Sequence, residues 1–352
     1  MSRARPVPRP VVAALTAYAE ESHGGLNLAN NASLFGPNPA LSRALAIAQS
    51  RVGSFWDYPS LTSEPLRQAA ARAYGVPADG VVTGNGSNEM IDIVIRAFAD
   101  PGERVVFPTP TFSMIPIFAR SAGADAVAVP LGPGWELNPD ALLHRQGKVT
   151  IVCSPNNPTG NAFPRAAIER IVERAPGLVV VDEAYVEFGG DSFVPLLARH
   201  PNLVVLRTMS KAHGLAGLRV GFALSDPSVA AELGKVRGPF RLNGFSELVA
   251  GLALASSTYL DEVVPQVRTN RGLLAAALAE LGCEVFPSDA NFLLVRPPVD
   301  ARRLAKALEA KAVHVRSFEG DLAPYLRITV GPLSLMERFL HVLKDTLAEV
   351  RT

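Results

Sequence analysis

Cysteine is nearly missing from this chain: two residues in 352, Cys153 and Cys283, far apart and in neither a CxxC nor a metal-ligand spacing. That excludes a disulfide-stapled secreted scaffold and a cysteine-held zinc centre, and it fits two buried thiols in a reducing compartment. Net charge is also scarce, at +1. A chain so balanced lacks the electrostatic footprint of a nucleic-acid or anionic-lipid binder, so the expected partner is a small molecule. No stretch approaches the roughly 20 uninterrupted apolar residues that span a bilayer. The basic start, MSRARPVPRP, is broken by proline and runs into an amphipathic stretch at 11–18 without the apolar core of a signal peptide. Internal repeats and low-complexity segments are missing too. These absences predict a cytoplasmic protein with no membrane segment.

What is present is enough apolar sequence, 48% of residues, to bury a sizeable core. A chain of this length favours a large domain with a smaller partner. From about residue 41, helical patterns alternate with short β-branched runs at 80–83, 104–107, 126–129, 149–153, 178–182, 203–208 and 219–223. Helices are expected at 87–99, 112–121 and 165–175. This is the α/β signature of a mostly parallel sheet with helices on both faces. After a long helix at 258–281 the pattern changes to short strands at 284–286, 291–296, 313–315 and 326–330, with helices at 301–311 and 333–350. The expected division is a large cofactor-binding domain over 41–260 and a smaller α+β domain built from 1–40 and 261–352.

Ligands of an open parallel sheet bind at the carboxyl ends of its strands. The first such end leads into GNGSNE, where Ser87 and Asn88 open a helix whose free amides and dipole favour an anion, although Ser87 could instead simply cap that helix. The 149–153 strand leads into SPNNPTG with Asn157, and the 178–182 strand into DEAY with Asp182 and Tyr185. A carboxylate there could keep a pyridine nitrogen protonated while a phenol and an amide bond the ring oxygen; Asp182 could equally cap a turn. Phe112 could stack on a cofactor or sit in the core. SKAHGLAGLR places Lys211 beside Ser210 with Arg219 further on, the groups needed to hold a phosphorylated aldehyde as an imine, though alone it could be a solvated loop.

Together and in this order, GSNE, PTF, SPNNPTG, DEAY and SKAHGLAGLR resemble the cofactor frame of fold-type I pyridoxal-phosphate aminotransferases, more narrowly the histidinol-phosphate aminotransferase group. LFGPNP, DYPS, SDANF, VRSF and LRITVG extend the likeness over nearly the whole chain. The resemblance implies that Lys211 bonds pyridoxal 5'-phosphate and shuttles the α-proton. It implies that Asp182 holds the pyridine nitrogen, Asn157 and Tyr185 the ring oxygen, and that Phe112 stacks on the ring. Ser87, Asn88, Ser210 and Arg219 fall where the family binds the cofactor phosphate. Tyr58 matches a tyrosine that reaches the neighbouring subunit's cofactor, implying a homodimer. Arg327 matches the arginine for the substrate's anionic group and Arg316 one associated with a substrate phosphate, while Asn31 falls at the substrate entrance.

The activity implied by the resemblance is histidinol-phosphate transamination to a keto acid such as 2-oxoglutarate, in histidine biosynthesis, by ping-pong turnover. The chain departs from the family in reading Asn31-Ala32-Ser33-Leu34-Phe35-Gly36 at the polar entrance, Ile115 for a tyrosine, and His213 for a phenylalanine. The first two leave room for a related enzyme of another specificity: an aromatic aminotransferase, a decarboxylase of a phosphorylated amino acid, or a cyclising enzyme. His213 is expected to be a packed ring rather than a proton carrier. Arg316 could also be a surface residue paired with Glu319 or Asp321.

Overall fold

The computed structural model describes residues 7–15, 24–50 and 56–351; the end of the amphipathic stretch, 16–18, lies outside them. Strand β1 is Leu26–Asn27, β2 Val81–Asn85, β3 Arg104–Thr109, β4 Asp125–Pro130, β5 Val149–Cys153, β6 Leu178–Asp182, β7 Leu203–Thr208 and β8 Val220–Ser225. The last seven form one sheet in the order β2-β8-β7-β6-β5-β3-β4. Its pairs are parallel except that β8 runs antiparallel to both β2 and β7.

LVVVD and VTIVC are buried at every position, the continuous apolar pattern of strands covered on both faces. Alternate residues enter different cores: Val179, Val181 and Val205 pack with the Arg165–Arg174 helix, and Val180, Val204 and Leu206 with the Gly86–Phe98 helix. The former helix presents Ile168, Ile171 and Val172 at the i, i+3, i+4 spacing that makes one apolar stripe. The parallel run β5-β6-β7 brings the ends of these strands to one rim, with Cys153 beside Asp182, and Asp182 beside Leu206, two residues before Thr208.

The smaller sheet has β9 (Glu284–Val285), β10 (Phe292–Arg296), β12 (Arg316–Ser317) and β13 (Leu326–Thr329) in the order β12-β13-β10-β9, all antiparallel. The single strand expected at 313–315 is in fact two short ones. β11 (Val313–His314) pairs in parallel with β1, and β12 pairs with β13. Leu26 and Leu28 thereby join the core of the smaller sheet with Phe292, Leu304 and Phe339. The Thr258–Glu280 helix leads from one sheet to the other and buries Val263, Val267, Leu274 and Leu278 on one side.

Candidate active site

One cavity of about 450 Å³ opens at the carboxyl ends of β5, β6 and β7. At one end lies the start of the Gly86–Phe98 helix. Its N-cap is Asn85, with no side-chain capping bond, so the capping alternative for Ser87 does not hold; Ser87 and Asn88 line the cavity instead. Glu89 Oε2 accepts the Asn85 backbone N–H at 2.7 Å, which fixes the helix start and leaves the next amides for a ligand. Arg219, held in a left-handed turn, donates from Nη1 to Ser210 Oγ at 3.3 Å and to Ala216 O at 3.2 Å. Gly86 has φ +80°, and a Cβ there would lie 2.5 Å from Arg219 Nη2. Glycine is thus required for guanidinium, helix amides and hydroxyls to converge on one anion.

At the floor, Asp182 is 4% exposed. Its Oδ1 accepts the Ala184 N–H at 3.1 Å, so the turn-capping alternative is realised, and yet the side chain lines the cavity. Burial is the largest influence on its carboxyl and raises it from 3.8 to about 7; Ala184 pulls down, Glu183 pushes up, and the Lys211 charge pulls down. A cation beside it would therefore be strongly favoured. Burial raises the Tyr185 phenol to about 12 against the pull of Arg327 and Asn31, so it stays a neutral donor near pH 7. Its hydroxyl accepts from Asn31 Nδ2 at 3.1 Å. Asn31, expected at the substrate entrance, is 1% exposed and ties this phenol to β13 through Thr329 Oγ1, which bonds the Asn31 N–H at 3.0 Å.

Lys211 Nζ donates to Asn30 O at 3.2 Å and lies 5.6 Å from the centroid of the Tyr185 ring. Opposite the lysine, Arg327 donates from Nη1 to Asn157 Oδ1 at 2.6 Å and from Nη2 to Ala29 O. Phe112 lines the cavity at its side. Two expected site residues stand outside the cavity wall. Tyr58 is 77% exposed, stacked on Phe240 at 4.6 Å, and away from the cavity of its own chain. Arg316 lies directly opposite Arg327 across β12 and β13 but is not part of the cavity wall; Glu319, offered as its partner, is bonded by Arg302 at 2.7 Å. Arg316 starts its strand and Arg327 is second in its own. His213 is buried behind the lysine, its neutral form favoured by burial and its carbonyl accepting from Asn38 Nδ2 at 3.0 Å.

A family model described as aminotransferase class I and II matches residues 24–343. The chain belongs to this family. It is 39% identical over 298 residues, 83% of the chain and 84% of the relative, to a histidinol-phosphate aminotransferase of Caldanaerobacter subterraneus. It is 37% identical over 346 residues, 95% of the chain and 96% of the relative, to histidinol-phosphate aminotransferase 2 of Thiobacillus denitrificans. The crystal structure of histidinol-phosphate aminotransferase from Sinorhizobium meliloti in complex with pyridoxal-5'-phosphate superposes with a TM-score of 0.90 at 26% identity, covering 99% of this chain and 100% of that one. The architecture is fold-type I of the pyridoxal-phosphate aminotransferases.

Some of this aminotransferase's site has little or no signature in the sequence. Thr208 lines the cavity, and its Oγ1 accepts the Ser210 N–H at 3.2 Å; it ends β7, so the strand-end rule could have found it. The Asn30 carbonyl that accepts the lysine's hydrogen bond has no sequence signal, because any residue supplies that atom. Met114 also lines the cavity while Ile115 is fully buried among Val105, Phe107 and Ala119. Ile115 therefore gives no support to a different specificity. Ala32 does line the mouth.

Proposed function

We propose that this aminotransferase uses pyridoxal 5'-phosphate to transfer the amino group of histidinol phosphate to 2-oxoglutarate by ping-pong turnover, within histidine biosynthesis. The observation that carries the reading is the charge layout of one cavity. Arginines stand at both ends, Arg219 and Arg327, with Lys211 and the buried Asp182 between them. Two separated guanidinium groups suit two anionic anchors, one on a cofactor and one on a donor. The relatives named above supply the donor's identity.

The residues fit the cofactor: the Gly86 cradle would be filled by a Cβ, and Ser87, Asn88, Thr208, Ser210 and Arg219, which line that end of the cavity, would hold its phosphate. When bound, the cofactor supplies a carbonyl that bonds an amine and a ring that takes up the electron pair freed at the donor's α-carbon. Asp182 would hold a proton at the ring nitrogen, Asn157 and Tyr185 would hold the ring oxygen, and Asn31 fixes the phenol. Phe112 would supply an apolar wall for the ring. Lys211 Nζ would be the amine that holds the cofactor carbonyl and the group that moves the proton to and from the donor's α-carbon. Arg327 binds the donor's anionic group, and Arg316, on the same face of the antiparallel pair, adds a second positive charge at that end.

In this reading residues 41–260 form the cofactor-binding domain and 1–40 with 261–352 the smaller one, but the helix Pro10–Ala13 departs from it by packing against the Met114–Ala122 helix of the larger domain. A homodimer is part of the proposal: Trp56 and Tyr58 are 84% and 77% exposed, beside the half-exposed Leu61 and Phe240. A contiguous aromatic patch of this kind fits an interface. A cytoplasmic setting is supported by two buried free thiols. Among the described residues no helix is long and apolar enough to cross a membrane. The test is glutamate formation by the cofactor-loaded protein from L-histidinol phosphate and 2-oxoglutarate, with L-phenylalanine in parallel. A higher kcat/KM for L-phenylalanine would replace this reading with the aromatic one.

A further inference from the structure

The turn after β5 and the loop before β10 are joined by contacts that binding a cofactor does not require. The Asp289 N–H donates to Gly160 O at 2.8 Å, and the Ala162 N–H donates to Asp289 Oδ2 at 2.8 Å. The approach is close. A Cβ on Gly189, whose backbone is extended, would lie 2.8 Å from Asp289 Cβ, and one on Gly160 would lie 2.6 Å from Ser288 Oγ.

Both partners are stiff. Ser288 Oγ donates to Phe292 O at 2.6 Å and accepts the Ala290 N–H at 3.1 Å, while Arg271 of the long helix donates to Ala290 O at 2.7 Å. On the other side, Asn156 Nδ2 donates to Thr159 Oγ1 at 2.8 Å and to Pro110 O at 3.0 Å. The same turn carries Asn157, the acceptor for Arg327. Arg327 pairs across the ladder with Leu294 of β10, the strand that this loop feeds. The smaller sheet therefore meets the turn twice, through Asp289 at its loop and through Arg327 on its neighbouring strand.

We propose that Asp289 is a positioning residue: by clamping the 288–291 loop to the Gly160–Ala162 turn, it sets where the Arg327 guanidinium stands and so where the donor's anionic group is held. This rests on the role given to Arg327 above. The carboxylate takes a backbone donor of the turn that follows β5, and a paired strand carries that constraint to the arginine. Losing the clamp lets Arg327 drift while the phosphate cup, Asp182 and Lys211 keep their own supports.

The test uses cofactor-loaded Asp289→Ala, Asp289→Asn, Gly189→Ala and Arg327→Ala proteins, with whichever of L-histidinol phosphate and L-phenylalanine the wild type turns over, and 2-oxoglutarate. Hydrogen exchange at the Ala162 amide is followed without substrate. Asp289→Ala is expected to raise both KM values about tenfold, as misplacement of a binding group does. Its kcat and cofactor affinity should move less than about threefold, the sign of lost binding rather than lost chemistry. Exchange at Ala162 should quicken. Asp289→Asn keeps an acceptor and should rescue, and Gly189→Ala, which pushes the loop aside with every hydrogen-bonding group still present, should match Asp289→Ala. A fall in melting temperature with both KM values unmoved, or a fall in kcat alone, overturns the proposal. An unchanged KM in Arg327→Ala refutes the role of Arg327 itself, whereas a raised KM there with none in Asp289→Ala refutes only the clamp.

Discussion

Asp182 binds its proton more tightly in the folded chain than in the unfolded one, because burial raises its carboxyl from 3.8 to about 7. Stability without a bound cation must then fall as pH rises between those two values, and level off above them. In thermal unfolding of the cofactor-free protein from pH 5 to 8, the wild-type midpoint should drop relative to Asp182→Asn; parallel curves would mean that Asp182 does not titrate there. With the cofactor bound, Asp182→Asn should cut turnover far more than cofactor affinity, since an amide cannot hold the ring nitrogen protonated. Arg219→Ala should do the opposite. Losing a charge-assisted phosphate contact costs about 1.5–3 kcal/mol, read as the cofactor dissociation constant, with the ring chemistry intact. Lys211→Ala should bind cofactor without completing turnover, and borohydride reduction of the wild type followed by peptide mapping should label Lys211; labelling at Lys148 or Lys235 would move the assignment.

At the scale of elements, the phosphate end depends on β8 lying hard against the start of the Gly86–Phe98 helix. A Cβ on Gly221 would collide with the Gly86 carbonyl carbon and lie 2.5 Å from the Ser87 nitrogen. Gly221→Ala should therefore weaken cofactor binding at least as much as Arg219→Ala and, unlike it, lower the melting temperature, because backbone must shift. The β12-β13 pair makes a second element-scale prediction. Arg316→Ala should raise the KM of a phosphorylated donor while changing that of 2-oxoglutarate less; equal small losses for both would place Arg316 outside the substrate site.

At the scale of the whole molecule, Tyr58 stands away from the cavity of its own chain, stacked on Phe240 and largely exposed. The dimer proposal gives it a role. Sedimentation should yield a mass near twice 37.4 kDa for the wild type and a monomer for Trp56→Asp, and Tyr58→Phe should keep the dimer while weakening cofactor binding. A wild-type monomer with full activity would remove Tyr58 from the site.

Strand order along the chain, the apolar runs of β5 and β6, and the chemistry at their carboxyl ends were legible in the residues themselves. Burial on both faces demands continuous apolar strands, and parallel strands expose their ends on one rim. Lys211, Asp182, Tyr185, Asn157, Ser87, Asn88 and Ser210 follow such ends, Arg219 was marked by its motif with Lys211 and precedes the reversed strand β8, and the structure brings all of them to one cavity. Other features depended on residues hundreds of positions apart. The tie from Asn31 to Tyr185, the pairing of β1 with β11, the reversal of β8, and the turn of Ile115 into the core have no local signature, since each is decided by what packs opposite. The pKa of Asp182 belongs with them: sequence supplies the carboxyl, but only its removal from water by the folded sheet makes it hold a proton near neutrality.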